Sequence, residues 1–220
     1  MKFKTIALIF ISAALTLVVS GFAMGVWPFA SKVELSQKRF LAIKAAIKQT
    51  PDSVIVFGDS IVQGAPLPNM ICGHMVVNAG VTGAAIEYFN RHAAELLGSS
   101  RPRLIVLAVG INNASPTAAK QFQSHYQETV TSLYNAATVL VATITPVRSG
   151  AGSAGYDATL VQSLNAVIKA TPSATDVIDL NSALSGANWT TDGIHFGPDG
   201  YALWTKTMVE GIRGVLGCAY

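Results

Sequence analysis

A hydroxyl, an imidazole and a carboxylate occur in this chain in settings that suit acyl transfer. Ser60 stands in Gly58-Asp59-Ser60, just past a short apolar run. A serine hydroxyl is a poor nucleophile until a base takes its proton as it attacks. His195 stands in Asp192-Gly193-Ile194-His195, with a carboxylate three residues before it. An aspartate so placed accepts from Nδ1–H, fixes the tautomer and leaves Nε2 to receive the serine proton. The chain has four histidines. His74 reads as a loop residue, while His92 and His125 fall within helical patterns, so His195 is the candidate base.

Two more segments could supply hydrogen-bond donors to a developing oxyanion. In Asn78-Ala79-Gly80-Val81-Thr82-Gly83 the Gly80 N–H is the candidate, although such glycines also serve a tight strand-to-helix turn. In Gly110-Ile111-Asn112-Asn113 the Asn112 carboxamide is the candidate, a role worth roughly 10²–10³ in rate where such a donor has been removed. Asn113 reads as structural. Each segment alone has an ordinary reading as turn or cap chemistry. Together they offer a nucleophile, an oriented base and oxyanion donors.

The elements that must position these groups alternate in type. Ser31-Lys32-Val33-Glu34 offers a capping box, followed by Phe40, Ile43 and Ile47 at helical spacing and a stop at Pro51. Strands are expected at Ser53–Phe57, Met75–Asn78, Leu104–Val109, Thr138–Thr145 and Thr175–Leu180. Between them lie helices with apolar faces Ile86/Phe89/Ala93/Leu97, Phe122/Tyr126/Val130/Leu133 and Leu160/Leu164/Ile168. The last helix begins at Pro198 and carries Tyr201, Trp204, Met208, Ile212 and Val215. Continuous apolar strands separated by amphipathic helices imply a five-stranded parallel sheet in a three-layer α/β/α sandwich. In such sheets ligands bind beyond the C-terminal strand ends, which is where all four segments fall. The Gly- and Ser-containing loop Pro146–Tyr156 should edge the same cleft.

The bulk composition narrows the function classes. The 220 residues are 50% hydrophobic and 12% charged, which suits one packed domain plus an appendage. The net charge is +3, and Lys2 and Lys4 supply two of those charges. No clustered basic face is left to grip nucleic acid. After Lys4, residues Thr5 to Ala30 carry no charge, long enough for a hydrophobic helix across a bilayer. Residues 1–30 read as a signal peptide or an uncleaved membrane anchor, and residues 31–220 as the folded domain. Either way the domain is expected to be exported, in the periplasm or outside the cell. Cys72 and Cys218 could form a disulfide in that setting or remain two buried thiols.

Gly58-Asp59-Ser60 with Gly64, then Gly80, Gly110-x-Asn112 and Asp192-x-x-His195 resemble the four blocks of the SGNH hydrolases, or GDSL esterases. The resemblance implies a flavodoxin-like sandwich that hydrolyses esters or thioesters without a metal or other cofactor. It implies Ser60 as nucleophile, His195 as base and Asp192 as its partner. Ser60 N–H, Gly80 N–H and the Asn112 side chain would form the oxyanion hole. Asn113 departs from the aspartate often found there, and Ile61 from the common leucine. The expected substrate is a small-molecule or carbohydrate ester, for instance an O-acetyl group on polysaccharide. Lysophospholipase, thioesterase, transfer of the acyl group to a sugar, and a catalytically silent glycan-binding domain are the alternatives.

Overall fold

The computed structural model describes residues 32–171, 176–186 and 189–218. The expectation for residues 1–30, and the Ser31 cap, lie outside these. No described helix is long and apolar enough to cross a membrane. The chain divides into two units, Met1–Lys38 and Arg39–Tyr220. Helix α1, Lys32–Gln49, begins in the first, and the second contains the sheet and every candidate site residue.

Among the described residues six strands form one sheet: β1 (Val54–Gly58), β2 (Met70–Ile71), β3 (His74–Gly80), β4 (Leu104–Ala108), β5 (Val139–Ala142) and β6 (Asp176–Ile178), in the order β2-β3-β1-β4-β5-β6. The five expected parallel strands are present. The extra one, β2, is a two-residue antiparallel edge piece joined to β3. Every residue of β1 is buried, which requires cover on both faces of the sheet. Each apolar side chain so enclosed contributes roughly 1.5–3 kcal/mol relative to exposure.

The covering helices are α1, α2 (Ser60–Gly64), α3 (Ile86–Leu97), α4 (Phe122–Tyr134), α5 (Ala158–Lys169), α6 (Leu180–Ala183) and α7 (Pro198–Leu216). Ile43 and Ile47 of α1 are buried, as are Ile86, Phe89, Ala93 and Leu97 of α3 and Phe122, Tyr126, Val130 and Leu133 of α4. Helix α5 departs from expectation. Its buried stripe is Val161, Leu164, Asn165 and Ile168, and Leu160 lies at its margin. The reason is Asn165, whose side chain accepts from the Ile144 N–H at 2.7 Å and donates to the Ile144 carbonyl at 3.0 Å. This polar residue faces inward because strand-end backbone satisfies it.

Several strand ends also move. β5 stops at Ala142, whose pairing with Ile178 is closed by the Thr143 N–H donating to the Ile178 carbonyl. His74 opens β3 instead of lying in a loop, and Leu180 begins α6 instead of ending a strand.

Cys72 and Cys218 are bonded, tying the turn between β2 and β3 to the end of α7 across 146 residues of sequence. A cross-link spanning so long a loop restricts the unfolded chain and should contribute about 2–5 kcal/mol. Reduction, or Cys72→Ser with Cys218→Ser, should lower Tm by several degrees in calorimetry while far-ultraviolet circular dichroism is retained. An unchanged Tm would contradict the bond.

Candidate active site

The pairing of the central strands sets the site. Gly58 at the end of β1 lies level with Gly80 of β3 on one side and Ala108 of β4 on the other. The chain crosses from β3 to β4 over β1, so the topological switch falls between β1 and β4, and the crevice opens beyond their ends. Asp59 caps α2, accepting the Ile61 N–H at 2.9 Å, and Ser60 is the first residue of that helix. Asp59 is only 3% exposed. Burial pushes its carboxyl up to about 7, against the lowering influence of the Ile61 N–H and the nearby His195.

His195 reaches Ser60 from a loop between Trp189 and Gly197, pinched by a bridge between Thr190 and Phe196. The Asp192 Oδ1 accepts the N–H groups of Ile194 at 2.9 Å and His195 at 2.8 Å, which folds the loop back on itself. Its Oδ2 lies 2.7 Å from His195 Nδ1. The bond to the His195 ring, aided by the two backbone N–H groups against partial desolvation, holds the Asp192 carboxyl at about 2. On its other side the ring places Nε2 2.8 Å from Ser60 Oγ. Hydroxyl, imidazole and carboxylate thus form one hydrogen-bonded series, as the sequence suggested. An ionised, fixed carboxylate behind an imidazole, with a hydroxyl in front, suits proton removal from that hydroxyl.

Asn112 sits in the 3₁₀ turn Ile111–Asn113 that follows β4. Its Nδ2 donates to the Ala84 carbonyl at 2.9 Å, and its Oδ1 accepts from the Tyr156 hydroxyl at 3.0 Å. One amide proton is therefore committed and the second remains to serve a ligand.

Gly80 departs from its expected role. Its N–H donates to Asn78 Oδ1 at 3.0 Å, so it is engaged within its own turn. A Cβ at position 80 would stand 2.2 Å from the Gln63 backbone nitrogen, so this glycine is where β3 lets the α2 backbone approach. The turn beyond is closely accounted for. Val81 N–H donates to the Gly58 carbonyl, Thr82 N–H to Gln63 Oε1 and Ala84 N–H to the Val81 carbonyl. Gly83, at φ +75°, has the one N–H of this stretch with no partner among the described residues.

Other residues that sequence reasoning passed over brace these groups. Arg39 donates to the carbonyls of Gly80 at 2.8 Å and Asn78 at 2.7 Å. A lone arginine beside the apolar stripe of α1 was the available signal. Tyr156 gave no spacing signal at all. Asn113 is fully buried: its Oδ1 accepts the Ile86 N–H at 2.9 Å and its Nδ2 donates to the Glu87 carboxylate. An aspartate here would set a second carboxylate against Glu87, which explains why asparagine stands in this chain. His74 pairs with Asp52, His125 with Glu87, and His92 packs against Tyr88 and Phe40, so none of the three joins His195.

Residues 56–203 match the GDSL-like lipase/acylhydrolase family, and the chain belongs to it. It is an ester-bond hydrolase by that membership. Among solved structures it resembles the lipase/acylhydrolase from Enterococcus faecalis at 21% identity, covering 74% of this chain and 96% of that one with a TM-score of 0.62. A member of the lipolytic G-D-S-L family from Veillonella parvula matches at 20% identity over 72% and 96%, with a TM-score of 0.57. Axe2, an acetylxylan esterase from Geobacillus stearothermophilus, matches at 12% identity over 74% and 94%, with a TM-score of 0.58. At these identities the likeness shows the fold. No curated protein matches the chain by sequence.

The buried acid beside Ser60 gives a stability test. A carboxyl whose folded value, about 7, exceeds its unfolded value near 3.9 binds its proton more tightly when folded. Stability contributed by Asp59 therefore falls as pH rises from about 4 to about 7. Asp59→Asn should raise Tm at pH 8 and flatten its decline between pH 5 and 8, measured by calorimetry. An identical decline in the variant would show that Asp59 does not titrate there.

Proposed function

We propose that this protein is an exported serine esterase that cleaves carboxylic esters through an acyl-enzyme on Ser60. The reading is carried by two hydrogen bonds in series, Ser60 Oγ to His195 Nε2 at 2.8 Å and His195 Nδ1 to Asp192 Oδ2 at 2.7 Å. In the first step Ser60 Oγ bonds to the ester carbonyl carbon while its proton passes to His195 Nε2. The carbonyl oxygen gains negative charge and is held by Ser60 N–H and the second Asn112 amide proton. The third donor is Gly83 N–H in place of Gly80, since the Gly80 N–H is engaged by Asn78. Collapse breaks the bond to the alkoxy group, which leaves with the proton from His195. Water then repeats the attack with His195 again as base, releasing the acid. Asp192 stays ionised down to about pH 2, so its own protonation should not limit activity above that pH.

The proposed substrate is a short acyl ester on carbohydrate outside the cytoplasm. The loop after β5 carries no bulky apolar lid. Acetylxylan esterases share the fold, which agrees with this substrate class. The uncharged stretch 5–30 behind two lysines supports export, and so does the Cys72–Cys218 bond, a feature of oxidising compartments. That stretch serves as a signal peptide or as a membrane anchor.

Hydrolysis of p-nitrophenyl esters of increasing chain length tests the reading. The acetate should be cleaved with the highest kcat/KM, and Ser60→Ala should abolish turnover while Tm is kept. A preference for long chains would favour the lysophospholipase or thioesterase reading. No turnover of any ester by the wild type would favour a binding domain.

A further inference from the structure

The stretch after β5 does more than edge the cleft. From Arg148 to Asp157 it touches both halves of the site. At its start Arg148 N–H donates to the Gly193 carbonyl at 2.9 Å, and the Arg148 guanidinium donates to the Ser185 carbonyl. One turn on, Gly152 N–H donates to the Asp192 carbonyl at 2.8 Å. At its end Tyr156 donates its hydroxyl to Asn112 Oδ1 at 3.0 Å. The next residue, Asp157, donates its N–H to the Ala114 carbonyl at 2.8 Å and caps α5 through its side chain. Ten residues therefore span from the loop bearing the acid and base to the turn bearing the oxyanion donor.

Two positions within it have geometry that backbone support alone does not require. A Cβ on Gly152 would lie 2.5 Å from Asp192 Oδ2, the oxygen that meets the His195 ring. That carboxylate is held by three hydrogen bonds and cannot yield without losing one. The backbone of Gly152 has no positive φ, so the glycine is needed for space and not for conformation. Tyr156, for its part, occupies the acceptor end of Asn112. With the hydroxyl on Oδ1 and the Ala84 carbonyl on Nδ2, the carboxamide is fixed against a flip, which would bring two oxygens together at Ala84.

We propose that residues 148–157 form a positioning strap for the hydrolytic reaction. In it Tyr156 orients the Asn112 carboxamide toward the oxyanion, and Gly152 keeps open the space of the Asp192 carboxylate. The strap rests on the roles assigned above to Asn112 and Asp192. In the strap both residues act through the groups they hold, Asn112 and Asp192. Its coupling of the two halves also gives a reason for a loop of small residues ending in one aromatic: the glycines permit close approach to Asp192, and the long phenol reaches across to Asn112.

Steady-state kinetics on p-nitrophenyl acetate with Tyr156→Phe, Asn112→Ala and the double variant test the first half. Tyr156→Phe should lower kcat about tenfold, the rate equivalent of one ordinary hydrogen bond, with KM and Tm nearly unchanged. Asn112→Ala should lower kcat by roughly 10²-fold or more. In the Asn112→Ala background the tyrosine change should have no further effect, because the group it orients is gone. An unchanged kcat in Tyr156→Phe, or a tenfold loss that persists in the double variant, would overturn the role of Tyr156. An unchanged kcat in Asn112→Ala would instead overturn the oxyanion assignment and the strap with it. For the second half, Gly152→Ala should lower kcat by roughly 10²-fold with KM nearly unchanged, since a carboxylate pushed aside no longer holds the His195 ring against Ser60. A wild-type kcat in that variant, or a loss confined to KM, would remove Gly152 from the strap.

Discussion

Three neighbouring parallel strands end at one level, and the site depends on that. Gly58 pairs with Gly80 and with Ala108, so the segments leaving β1, β3 and β4 emerge side by side. A slip of one residue in either pairing would turn every side chain of a strand to the opposite face. The register is locked because the residues of β1 and Leu104 to Leu107 of β4 are buried on both faces of the sheet. The packed core is thus what delivers Ser60 and Asn112 to the same rim. Asp192 and His195 come from further along the chain, and the N–H groups of their own loop fold them back to meet Ser60.

That convergence has costs that the fold absorbs locally. Bringing α2 against the end of β3 leaves no room for a side chain at position 80. Capping α2 buries the Asp59 carboxyl, whose desolvation raises it to about 7 beside the hydroxyl proposed as nucleophile. Asp192 is the opposite case, a carboxylate with three donors and partial solvent access that stays ionised to about 2. Two carboxyl groups close to one imidazole therefore differ by several units because one is buried and the other is hydrogen-bonded and wetter.

Much of this was legible in the sequence because strand ends announce themselves. Apolar runs of four to eight residues located the parallel strands, and the residues that follow them, Ser60, Asn112 and His195, stand at the rim as read. The pairing of His195 with Asp192 followed from their spacing. What escaped were features set by which N–H or which face is used, and spacing carries no trace of these. Gly80 and Gly83 stand three apart in one turn, and the engagement of the Gly80 N–H by Asn78 became visible only with the side chain in place. Asn165, which the apolar spacing of its helix does not mark, lies in the core because a backbone edge at Ile144 receives it. Tyr156, 44 residues from Asn112, belongs to a contact no local pattern encodes.

The central claim is that Ser60 becomes covalently acylated because His195 removes its proton. Treatment with phenylmethylsulfonyl fluoride, followed by peptide mass spectrometry, tests it most directly. The account predicts one sulfonyl adduct per chain, located on Ser60, with activity lost in step and with labelling suppressed in His195→Ala. A fully active, unlabelled enzyme, or an adduct on another residue that tracks the loss of activity, would contradict it.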